Sequence, residues 1–139
     1  MKWQLTAMVA GLGLLAAIPA RAHHAFAAEY DSDKPVKVKG VVSKVEWMNP
    51  HIWFYVDVTD ESGKVTTWGF SGGPPGMLMR RGINKDVLKI GDVIVVEGFR
   101  AKDNSYNASG GNVTFADGRK VFAGSAEDVA PRNGESKKE

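Results

Sequence analysis

A chain of 139 residues has room for one domain, and its lack of cysteine excludes disulfide staples, thiolate metal sites, thiol catalysis and lipid attachment through an N-terminal cysteine. Its 18 basic residues exceed its 16 acidic ones by two, and two of the basic ones, Lys2 and Arg21, lie in the first 22 residues. The remainder is therefore balanced, without the basic excess that lets a nucleic-acid binder displace counterions, and no nucleic-acid partner is expected.

Residues 1–22 have the grammar of a cleavable signal peptide. Met1-Lys2 is a short positive start, Trp3 to Ile18 is largely apolar, Pro19 breaks the run, and Ala20-Arg21-Ala22 offers small residues at the two positions a signal peptidase inspects. The apolar run is shorter than the roughly 20 residues that span a bilayer. The expectation is an exported protein, not an integral membrane protein once cleaved, that begins at His23.

Residues 23–35 form a lead-in segment without a clear period. From Val36 the pattern is strand-like: Val36 and Val38 alternate with Lys37 and Lys39, and after Gly40 the set Val41, Ser43, Val45, Trp47 continues with reversed parity. A parity switch at glycine predicts a β-bulge that bends a long first strand. Asn49-Pro50 marks a turn, and a second strand runs from Ile52 to Thr59. Its core face is Ile52, Phe54, Val56 and Val58; His51, Trp53, Tyr55 and Asp57 lie on the other. A third strand covers Lys64 to Phe70, followed by a Gly/Pro loop and a short helical segment near Met77–Arg81. Val93 to Arg100 is a fourth strand. Residues 102–111 read as a polar, glycine-rich loop, and Asp117-Gly118 predicts a hairpin between Val113–Phe115 and Lys120–Phe122. The tail 125–139 is polar and aperiodic, with the composition of a disordered segment. This order predicts an all-β fold, a small five-stranded OB-like Greek-key barrel over residues 36–124 with a short helical connection between strands three and four.

The histidines occur at two places. If cleavage follows Ala22, His23 carries a free α-amino group beside its ring Nδ1, and the two nitrogens chelate one metal. A second imidazole completes a three-nitrogen site of the kind that suits copper. His51, at the start of strand two, is the natural partner, and His24 is a weaker third candidate. In the plainer reading, His23-His24 is a polar start and His51 bonds a backbone carbonyl. Met48, Met77 and Met79 are soft donors that serve equally as core filling. Trp53 and Tyr55 form the second candidate surface, a stacking platform for a sugar, peptide or small molecule. The alternative for these rings is coverage by residues 23–35, with Phe26 and Tyr30 as packing partners. No nucleophile elbow, phosphate loop or zinc-protease motif is present, so an enzyme is not expected. Arg80-Arg81 reads as the solvated side of a helix.

Several runs together resemble a family of small exported bacterial proteins of unknown function. They are His23-His24-Ala25-Phe26-Ala27-Ala28-Glu29-Tyr30-Asp31, Val45-Glu46-Trp47-Met48-Asn49-Pro50-His51, Leu78-Met79-Arg80-Arg81-Gly82 and Gly91 to Lys102. A serine often takes the place of Ala25 in such proteins, and Ser71-Gly72 stands where they carry an acidic residue. The resemblance implies one domain in a Gram-negative periplasm and brings no activity with it. Two further roles stay open beside copper binding: a ligand-recognition module using Trp53 and Tyr55, and a structural partner in a periplasmic assembly.

Overall fold

The computed structural model describes residues 26–125. The elements in chain order are β1 (Tyr30–Glu46), β2 (Trp53–Thr59), β3 (Val65–Ser71), α1 (Pro75–Arg80), β4 (Val93–Ala101), β5 (Asn107–Ser109), β6 (Asn112–Phe115) and β7 (Lys120–Phe122). Strands β1, β2 and β3 form an antiparallel meander. β3 then pairs in parallel with β5, β5 with β4, and β4 with β1, which closes a five-stranded barrel. The parallel β3–β5 seam is what makes this a Greek key of the OB type rather than an up-and-down barrel.

Period-two alternation builds the core. Ile52, Phe54 and Val56 of the second-strand segment are essentially fully buried, joined by Val42, Phe70, Ile94, Val96 and Val113. The Phe54 and Phe70 rings stack with centroids 5.4 Å apart. α1 begins at Pro75, where proline's fixed φ and missing N–H suit a helix start. It buries Leu78 completely in the same core, so the connection between β3 and β4 closes one end of the barrel.

The structure moves four sequence expectations. The closing fifth strand is Asn107–Ser109, inside the stretch read as a glycine-rich loop. The predicted hairpin around Asp117-Gly118 is present, with Gly118 at φ 86°, but it extends the sheet from β4 rather than closing the barrel. β1 starts at Tyr30, so residues 30–35 of the lead-in belong to the strand, while residues 26–29 are helical. The bulge falls between Val42 and Lys44, not at Gly40. Val41 is accordingly exposed and Val42 buried, and only beyond Ser43 does the core face pass to Val45.

Candidate functional site

The outer faces of β2, β3 and β5 form one continuous surface. Pairing sets Trp53 opposite Ser71, Tyr55 opposite Gly69, and Asp57 opposite Thr67; β5 adds Asn107 beside Gly69, while Ser109, beside Ser71, is fully buried and accepts from the Phe99 N–H. Large rings on β2 thus face small residues on β3. A Cβ on Gly69 would lie 2.6 Å from the Asn107 Oδ1 and 3.3 Å from the Tyr55 ring. The bare glycine is what allows the phenol and the amide to settle toward the sheet.

His51 sits at the end of this surface, where the β2–β3 ladder is irregular. Gly72 donates its N–H to the Ile52 carbonyl, but Ile52 donates back to Gly73. Two residues therefore oppose one, which is a β-bulge. The Gly72 carbonyl, set free from the ladder, lies 3.0 Å from the His51 Nδ1. A carbonyl only accepts, so Nδ1 carries the proton, and in the neutral ring Nε2 holds the lone pair. This is the carbonyl bond anticipated for a merely structural histidine. It is also the outer bond that orients a metal-binding imidazole. His51 is half-buried.

Trp53 and Tyr55 are both half-buried, and their rings stack at 6.4 Å with 24° between planes. The Tyr55 hydroxyl donates to Glu46 Oε2 at 3.1 Å, and Lys44 bonds the other carboxylate oxygen at 2.6 Å. The Lys44 ammonium also lies 5.2 Å from the Tyr55 ring centroid. Lys44's bond lowers the Glu46 pKa, and the Glu46 bond raises that of Lys44. Desolvation, followed by the Glu46 bond, raises that of Tyr55. Asp57 is engaged separately, accepting from Thr67 at 2.6 Å and Ser43 at 3.2 Å, so the two carboxylates do not form a pair.

The lead-in segment does approach this face, though not as a lid over both rings. The Tyr30 hydroxyl lies 2.7 Å from Ser71 Oγ. Phe26 packs on Tyr30 and on Phe99, away from Tyr55. Lys102 fastens the segment from the other side, its backbone N–H donating to the Glu29 carbonyl and its ammonium to that of Ala27. Between segment and barrel remains a cleft of about 370 Å³ lined by Tyr30, Trp53, Glu29, Lys102, Asp103 and Asn107, with Ala28 and Ala101.

His23 and His24 lie outside the described residues. Among the described residues, no cluster of three or more His, Cys, Asp or Glu side chains is poised for a metal, and no helix is long and apolar enough to cross a membrane. Arg80 and Arg81 are both exposed, as expected of a solvated helix face, and Arg81 also donates to the Gly124 carbonyl at 3.2 Å and lies over the Phe122 ring. The site residues that sequence reasoning missed are Gly72, Asn107 and Lys102. Only the Ser71-Gly72-Gly73 run carried a signal, since glycines beside a strand often mark a bulge.

Comparison with known proteins yields one family. Residues 13–111 match the model of a family of unknown function (DUF6152). No curated protein matches the chain.

Proposed function

We propose that this chain, which belongs to the DUF6152 family, is an exported periplasmic binding or accessory domain that holds copper through its mature N-terminus. Cleavage after Ala22 frees the His23 amine, which chelates the metal together with the His23 ring, and the His51 ring supplies the third nitrogen; His24 is a spare donor. The role is binding rather than catalysis.

The observation that carries this reading is the bond from His51 Nδ1 to the Gly72 carbonyl. It assigns the lone pair to Nε2 and fixes the ring against rotation, as an outer partner does for a metal-ligating histidine. A second feature brings the N-terminal segment toward the same end of the surface: Tyr30 is bound to Ser71, the residue before Gly72.

The test is copper titration of protein recovered after export, with intact mass showing that it starts at His23. One-to-one Cu(II) binding is expected, weakened by orders of magnitude in His51→Ala and in a version with an extra residue ahead of His23. Equal affinity in either variant would overturn the assignment.

A further inference from the structure

We propose that the cleft between the start of β1 and the outer face of β2 is a binding site for a small organic ammonium ion. The inference does not rest on copper, because it uses neither His23 nor His51, and His51 is not among the residues that line this cleft.

Size and walls come first. About 370 Å³ falls within the span of small-ligand pockets, roughly 300–1,000 Å³. The aromatic walls are held by partners outside the cleft. Tyr30 is fixed through its hydroxyl to Ser71, and Trp53 is backed by the Tyr55 ring. A half-buried indole that is braced on one side offers its π-system without a rearrangement cost.

Charge decides the ligand class. The lining carries two carboxylates, Glu29 and Asp103, against one ammonium, Lys102. That ammonium keeps its charge while donating to the Ala27 carbonyl, so the lining is net negative by one (two carboxylates against one ammonium), which favours a cation over an anion. Asp103 is held below its ordinary carboxylate range by the Ser105 hydroxyl and amide, so its negative charge persists at neutral pH. Carboxylates at the rim together with indole and phenol rings in the wall suit an alkylated ammonium, whose charge is attracted both by the ring quadrupole and by the acids. Asn107 adds a neutral amide for a hydroxyl or carbonyl on the same ligand.

The experiment uses the exported chain, stripped of metal with EDTA, with choline as the probe and the Trp53 indole N–H resonance as the readout. Saturable shifts are expected with choline. Its neutral isostere 3,3-dimethylbutan-1-ol should bind about tenfold more weakly, since it fills the same volume without the charge. Glu29→Gln, a change at an exposed residue, should weaken choline severalfold while leaving the fold intact. In Trp53→Leu, read through neighbouring backbone amides, choline affinity should fall about tenfold. Absence of a saturable shift, equal affinity for the neutral isostere, or undiminished binding in both variants would overturn the proposal.

Discussion

The hydroxyls of Tyr30 and Ser71 lie 2.7 Å apart, joining the first residue of β1 to the last residue of β3 across 41 positions of sequence. Neither strand pairs with the other in the sheet, so this side-chain bond ties the incoming N-terminal segment to the strand whose continuation holds His51. The same residue contributes apolar burial, since Tyr30 is only 7% exposed and Phe26 packs against its ring. Anchoring and packing thus converge on one tyrosine.

Tyr30→Phe keeps the ring and removes the hydroxyl. A part-buried hydrogen bond of this kind contributes about 1 kcal/mol, and Ser71 loses a partner. Urea unfolding should show a loss of that size without a change in m value. Hydrogen exchange at residues 26–30 should quicken more than in the barrel strands, because the segment's bonds at Lys102 remain but its tie to Ser71 is gone. Uniform acceleration throughout the domain would show that the bond supports the whole barrel instead.

Leu78 tests the closure of the barrel by α1. It is completely buried although its helix has only six residues and no side-chain cap. A helix this short is held by packing, not by propensity. Leu78→Ala should cost about 2–5 kcal/mol, the range for deleting a buried leucine side chain. Calorimetric melting would check it, and a loss under 1 kcal/mol would mean that the barrel end is closed by other residues.

What the amino-acid order made legible follows from strong local periods. Ile52, Phe54, Val56 and Val58 alternate so regularly that their burial, and the placement of His51, Trp53 and Tyr55 on the opposite face, could be read directly. Asp117-Gly118 declared its hairpin by the glycine's positive φ. β5 was not legible. Asn107-Ala108-Ser109 has three residues, no β-branched or aromatic side chain, and owes its strand character to neighbours on both sides, a tertiary effect that overrides local preference. The bulge was misplaced for a related reason. A glycine is the commonest local sign of a bulge, but here the register shift was set by pairing with β2 and fell at Ser43. For the site, the aromatic Tyr30 announced that it needed burial, while the free Gly72 carbonyl emerged only from the ladder geometry.

The triad of Lys44, Glu46 and Tyr55 predicts how stability changes with pH. Glu46 has a folded pKa below its ordinary 4.5, chiefly through the Lys44 bond. Its contribution is present above that value and disappears as pH falls through the lower folded value. Asp60, held below 3.8 by the Ser62 hydroxyl and the Lys64 amide, acts in the same direction. Lys44 and Tyr55 are raised above 10.5 and 10.0. Their contributions are full below those values and fade as pH rises through the folded ones. Glu46→Gln should therefore flatten both limbs of a plot of urea midpoint against pH, leaving the plateau between them nearly level. All three groups are solvent-accessible, so 0.5 M salt should shrink the effect. An unchanged acid limb in the variant would assign the acid sensitivity to Asp60 and its kind.

Gly72 joins fold and proposed chemistry. A Cβ there would lie 2.6 Å from Ile52 Cγ1 and 2.7 Å from the Ala123 carbonyl; the backbone oxygen cannot yield as a flexible side chain would. Gly72→Ala should push the bulge away from Ile52 and carry its carbonyl off the His51 Nδ1. Overpacking of this type costs about 1–3 kcal/mol, which leaves a folded barrel to measure if the wild type has ordinary domain stability. The imidazole then loses the bond that assigns its tautomer, and the His51 ring proton signals in NMR should report exchange between two forms. Copper affinity should fall about 10–100-fold, the usual consequence of removing an outer partner of a ligating histidine. A drop in stability with the His51 tautomer and copper affinity unchanged would mean that the Gly72 carbonyl serves only the fold.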